Sequence, residues 1–167
     1  MTDNAADRSA DRSAEWARLR ATHLRDPADR PASTARGVHH VALLCTDVVQ
    51  TIAFYQGIHG FPLTEMFENR DYEGSTHFFF DIGNGNALAF FDFPRLELGE
   101  YAEVLGGLHH LAISVPPESW TAQRAALEAA GVELHVVESS MYFRDPDGAR
   151  VELINDPLGE MYGNRVM

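Results

Sequence analysis

Hydrophobic and polar positions alternate along much of residues 38–154, and the pattern occurs twice. In a strand expected over about 38–46, Val41, Leu43 and Cys45 share one side and His40 takes the other. A second strand over 108–115 repeats this with Leu111, Ile113 and Val115 opposite His110. Each strand runs into a helical pattern. The first passes through Val48, Ile52 and Tyr55 behind Asp47, a residue suited to an N-cap, with Gln50 three positions on, and stops at Gly60. The second, 118–130, turns Trp120 and Leu127 inward and ends at Gly131. Three strand candidates follow each helix: 61–67, 76–82 and 87–93, then 132–138, 141–144 and 149–154. His40 and His110 stand 70 positions apart and Gly60 and Gly131 stand 71 apart, so the two halves are nearly in register.

The last two strands form a hairpin about Asp145-Pro146-Asp147-Gly148, with proline preset for a central turn position and glycine free to take a positive φ. Met141 and Phe143 face one way, Tyr142 and Arg144 the other; Val151 and Leu153 take the apolar face, and Glu152 opposes them. A mid-strand carboxylate is rarely buried unless its charge is compensated. His40 and His110, each on the non-core side of the first strand of its half, supply that compensation. Two imidazoles and a carboxylate are the elements of a 2-His-1-carboxylate metal site, with His40, His110 and Glu152 as its candidate ligands. By alternation His39 and His109 are expected to face the helix side, as packing residues or as supports behind the ligands. His23 and His59 are not proposed as ligands.

Composition narrows the partners. A formal charge of −12 lacks the basic footprint that nucleic acid needs. No apolar run approaches the ~20 residues that span a membrane, and the beginning of the chain shows no secretory signal core. The single cysteine, Cys45, excludes an intramolecular disulfide and fits a reducing cytoplasm. Residues 1–36 are expected to be a flexible arm, with a short helix over 13–24 as the alternative. The body is then 37–157, in modules 37–94 and 107–157, followed by a tail, 158–167. The charged connection 68–75 is expected to be a solvated loop, with a lid as the alternative.

The βαβββ–βαβββ order, with histidine on the first strand of each half and Tyr142-Phe143-Arg144-Asp145-Pro146-Asp147-Gly148-Ala149-Arg150-Val151-Glu152-Leu153 closing the second, resembles the vicinal-oxygen-chelate (VOC) superfamily over about 37–157. That group holds glyoxalases, fosfomycin-resistance transferases, bleomycin-binding proteins and extradiol dioxygenases. The resemblance implies an α+β fold of two tandem βαβββ modules forming a metal-binding cup. It maps the family's four metal-facing positions to His40, Ala89, His110 and Glu152, with Ala89 placed by aligning 85–89 with 148–152. Alanine there breaks the four-ligand glyoxalase pattern and keeps the three-ligand pattern of dioxygenases and fosfomycin enzymes. It also implies a functional tyrosine at Tyr142, whose counterpart in the first half is Phe79. His77, two residues from Phe79, and His135, opposed to Leu134 and Val136, are candidate general bases beside Tyr142. Phe79, Phe91 and Arg144 are the candidate substrate contacts.

These expectations describe a cytoplasmic homodimer acting on a small molecule, with no nucleic-acid or membrane partner. Its cofactor is a divalent metal ion, Fe(II) first and Mn(II) or Zn(II) next. The expected reaction is that of a non-haem Fe(II) dioxygenase on a small, chelating, catechol-like substrate. The alternatives are a glyoxalase- or fosfomycin-transferase-like lyase, transferase or isomerase, and a non-catalytic drug- or metabolite-binding protein.

Overall fold

The computed structural model describes residues 11–166, so residues 1–10 of the expected arm and Met167 of the tail lie outside the described residues. The chain divides into two compact units between Gly37 and Val38. In the first, α1 (Ser13–His23) forms and a 3₁₀ turn follows at Pro27–Asp29. None of its described residues is buried, because Trp16 and Leu19 stand among charged neighbours without forming an apolar stripe.

In the second unit the alternating stretches become strands, most of them shorter than the pattern, though β7 starts one residue earlier. The first module holds β1 (His40–Cys45), α2 (Val48–Ile52), β2 (Leu63–Glu68), β3 (Thr76–Asp81) and β4 (Ala87–Asp92). The second holds β5 (Leu111–Ser114), α3 (Pro117–Ala129), β6 (His135–Val137), β7 (Ser140–Arg144) and β8 (Arg150–Ile154). A small hairpin, β9 (Glu160–Met161) with β10 (Asn164–Arg165), closes the tail. The side chain of Asp47 caps α2 by accepting the Gln50 amide at 2.9 Å, as expected. The helix then widens into a π-helical turn, Ala53–Ile58, which the sequence pattern did not signal and which buries Phe54 and Tyr55.

Both sheets have four strands, ordered β1-β4-β3-β2 and β5-β8-β7-β6, with β1–β4 and β5–β8 parallel and the other pairs antiparallel. The Asp145–Gly148 turn is built as read: the Gly148 amide donates to the Asp145 carbonyl at 3.0 Å, and Gly148 has φ +87°.

One hydrophobic core serves both modules. Phe78, Phe80, Leu88 and Phe90 enter it from the first sheet, and Met141, Phe143, Val151 and Leu153 from the second, with Tyr55 and Leu127 between. The π-helical turn joins the two: Tyr55 packs on Phe80 and Phe90, and its hydroxyl donates to Asp145 Oδ2 at 2.9 Å. His59 stacks on Phe143 at 5.2 Å and bonds the Gln123 side chain of α3 at 2.8 Å. Burial holds the His59 imidazole below its usual pKa, against the opposing Gln123 bond. The apolar faces of both sheets are thus used up in a shared interior, and the histidine-bearing faces turn away from it.

Candidate metal centre

Strand register brings the second-module residues into one group. Tyr142 pairs with Glu152 across β7–β8 and His135 with Tyr142 across β6–β7, so all three side chains share the face opposite Met141 and Leu153. His110, just before β5, reaches the same face: its Nε2 lies 3.0 Å from Glu152 Oε2. Glu152 is only 4% exposed, and the Ser140 hydroxyl donates to its other oxygen at 2.5 Å. Two ligands at right angles on an ion about 2.1 Å away stand about 3 Å apart, so the His110–Glu152 pair has the spacing of neighbouring ligands. The His110 and Tyr142 rings meet edge to face at 6.0 Å, with His135 6.4 Å from Tyr142. Burial first, then bonding with Tyr162 and Glu152, pushes the Tyr142 phenol up to about 12. Tyr142 therefore stays protonated near neutral pH and is a hydrogen-bond donor rather than a base.

The first module repeats the frame with different contents. Ala89 pairs with Ala42 and Phe79, just as Glu152 pairs with Ala112 and Tyr142, so the alignment of 85–89 with 148–152 holds and Phe90 stays in the core. His40, Phe79, His77 and Phe91 share the outward face. His40 meets Phe79 edge to face at 6.0 Å, and His77 stacks on Phe91 at 3.8 Å. The His77 Nε2 is buried without a hydrogen-bond partner, and desolvation, then the nearby His40, lowers its pKa.

The structure therefore assembles half of the expected site on each sheet. Among the described residues no cluster of three or more His, Cys, Asp or Glu is placed to hold a metal ion. His40, His77, Phe79 and Phe91 sit on one open face, and His110, His135, Tyr142 and Glu152 on another. Phe67 and Leu44, both about half exposed, extend the first face.

Arg144 projects from β7, with its guanidinium 5.1 Å over the Tyr101 ring. A cavity of about 770 Å³ opens beside it, lined among others by His110, His135, Tyr142, Arg144 and Arg150. The loop 68–75 folds on itself: the Asn69 amide donates to the Ser75 carbonyl at 2.7 Å and Tyr72 packs on Phe93. Cys45 is buried among acidic groups and its thiol is pushed up to about 12, which leaves it unreactive.

The expectation that His39 and His109 face the helices is overturned. β1 begins at His40 and β5 at Leu111, so the alternation does not extend to either residue. Both are exposed, and each bonds its neighbour through Nδ1, at 2.8 Å for His39–His40 and 2.7 Å for His109–His110. Nor did the sequence point to Tyr101 and Glu103. Glu103 lies in the connection between modules, accepts from Arg150 at 2.7 Å and sits 3.9 Å from His109. No spacing rule signals a contact across 47 positions.

The sequence model of the Glyoxalase/Bleomycin resistance protein/Dioxygenase superfamily matches residues 37–153, and the chain belongs to that family. Among relatives, it is 32% identical to "Uncharacterized protein YaeR" of Escherichia coli (strain K12), covering 70% of this chain and 93% of YaeR. It is 25% identical to "Putative ring-cleaving dioxygenase MhqA" of Bacillus subtilis (strain 168) over 76% of this chain, but spans only 42% of MhqA. Among solved structures, a variant of the fosfomycin resistance protein FosX from Listeria monocytogenes, complexed with Mn(II) and 1S,2S-dihydroxypropylphosphonic acid, shares the fold. It aligns with a TM-score of 0.56 at 24% identity, over 75% of this chain and 96% of FosX.

Proposed function

We propose that the chain is a divalent-metal-dependent enzyme of small chelating substrates, of the ring-cleaving dioxygenase type, working as a homodimer. The observation that carries it is the buried Glu152 carboxylate 3.0 Å from His110 Nε2 on an open sheet face. His110 and Glu152 would hold the ion from one copy. His40 would reach it from the other, since within one chain the two faces point away from a shared core. A twofold pairing of unlike faces, first module on second, makes two equivalent sites and closes the assembly. Fe(II) bound there would supply the open positions at which a chelating diol and dioxygen meet.

The chain's own residues set what enters. Phe79 and Phe91 offer flat apolar surface to an aromatic ring, and Arg144 a cation at the mouth. Tyr142, as a protonated phenol, donates a hydrogen bond to a substrate oxygen. His135 beside it, or His77 from the partner copy's first module, accepts the proton a catechol gives up. The name of MhqA supports the ring-cleaving reading. The Mn(II) in the FosX structure is a reason to try that ion as well.

The test is to load metal-free protein anaerobically with Fe(II), offer a panel of catechols, and follow oxygen uptake. Oxygen consumption with new visible absorbance supports the reading. Turnover under Mn(II) or Zn(II) without oxygen moves it to the lyase, transferase or isomerase alternative. Ligand binding with neither leaves a sequestering protein.

A further inference from the structure

We propose that His109 is a positioning residue: it passes the state of the Glu103–Arg150 pair to His110 and so decides which nitrogen of His110 carries the proton. The inference rests on His110 as a metal ligand, the reading given above.

The argument starts from an arginine, which only donates. Arg150 Nη1 lies 3.1 Å from His109 Nε2, so that nitrogen is an acceptor and His109 carries its proton on Nδ1. His109 Nδ1 lies 2.7 Å from His110 Nδ1, which must then accept. His110 therefore holds its proton on Nε2, where it meets Glu152 Oε2 at 3.0 Å. Arg150 is itself held at 2.7 Å by Glu103. Every donor in the chain Arg150 to His109 to His110 to Glu152 points the same way, with no clash and no idle lone pair along it.

A metal ion needs the opposite arrangement, because it takes the Nε2 lone pair and leaves the proton on Nδ1. The whole chain must then reverse. His110 Nδ1–H donates to His109 Nδ1, and His109 carries its proton on Nε2, facing Glu103 Oε2, now 3.9 Å away. Proton count is conserved: one on each ring before and after, the His110 Nε2 proton being exchanged through water for one on His109 Nε2. Arg150 can no longer donate to His109, so its Nη1 is left free toward the cavity that Arg150 lines while Nη2 stays paired with Glu103. Ion loading and the freeing of one guanidinium N–H beside the substrate space are thus one event. The first module has only the His39–His40 link; His39 makes no contact with an arginine or a carboxylate among the described residues. His40 has no such lock.

Two-bond ¹H–¹⁵N spectra of the histidine rings test this on the metal-free dimer and on the same protein loaded with Zn(II). The expected result is His110 as the Nε2–H tautomer without Zn(II) and the Nδ1–H tautomer with it, His109 switching in step. In His109→Phe the metal-free His110 becomes a mixture of tautomers and Zn(II) affinity falls about tenfold or more. His109→Asn, which keeps a polar group near the Nδ1 position, restores most of it. Arg150→Met acts in the other direction, raising Zn(II) affinity and unlocking the metal-free tautomer; a purely structural pair would lose affinity in both variants. An Nδ1–H His110 in the metal-free parent, or unchanged tautomer and affinity in His109→Phe, overturns the proposal. If His110→Ala leaves Zn(II) binding intact, the ligand reading itself has failed and not only the relay.

Discussion

The two modules share a frame and differ in what it carries. Ala89 and Glu152 occupy equivalent register positions, as do Phe79 and Tyr142. His40 and His110 each precede or open the first strand and each is bonded by a preceding histidine. Yet the second module buries a carboxylate against a histidine and a serine, while the first offers a histidine amid aromatic rings. The two backbones match, and the buried polar cluster stands on the second alone. The first carries His40 and His77 against the aromatic wall of Phe79 and Phe91.

Removing ligands gives the largest expected effect. His110→Ala or Glu152→Ala abolishes tight divalent-metal binding, measured by metal content after purification, and so does His40→Ala. Mixing the His40→Ala and His110→Ala proteins after reversible dissociation sharpens the comparison. Each mixed dimer regains one intact site, so random pairing restores about a quarter of parental activity, counting half mixed dimers with one of two sites each. Full silence of the mixture, with mixed dimers present, places all three ligands in one chain and breaks the division between modules.

Core truncation comes next and should be the same in both modules. Phe80→Ala and Phe143→Ala each cost about 3–5 kcal/mol in chemical denaturation, since both rings are almost fully buried. Two separate transitions, one per variant, would show that the modules fold independently despite their common core.

Ala89→Glu makes the first module resemble the second. Its side chain would lie on the outward face beside Phe79 and Ala42, so a fourth ligand, the second carboxylate, enters the shared site, metal affinity rises and an open coordination position closes with loss of turnover. Unchanged affinity would mean that the first-module face does not reach the metal. Tyr142→Phe is a milder change. It removes the high-pKa donor, lowering turnover by roughly tenfold or more with little effect on metal content.

The smallest effect is on stability against pH, and it falls at the junction of the modules. Burial depresses the pKa of His59 in the folded protein from 6.5. The unfolded chain therefore binds the proton more readily, and the His59 contribution is present above pH 6.5 and lost as pH falls through the folded value. In His59→Asn that part of the acid sensitivity should vanish from denaturation midpoints measured between pH 7 and 5. Identical profiles for parent and variant would remove His59 from the account.

The sequence by itself determined the repeat, the strands and their faces, the capped helix and the Asp145–Gly148 turn. All of these follow from short-range rules: a period of two, a period of 3.6, a capping carboxylate, a glycine at positive φ. It also placed His110, Glu152, Tyr142 and His135 on one face, because alternation on paired strands carries that information. Only the tertiary structure decided that His40 does not join them within the chain. That depends on which faces of the two sheets bury each other, and Tyr55, His59 and Phe143 settle it through contacts 64, 84 and 90 positions apart in sequence. Only the tertiary structure, too, put Glu103 beside Arg150 and turned His39 and His109 toward their neighbours. Both lie just outside the ladders, where alternation no longer fixes the direction of a side chain.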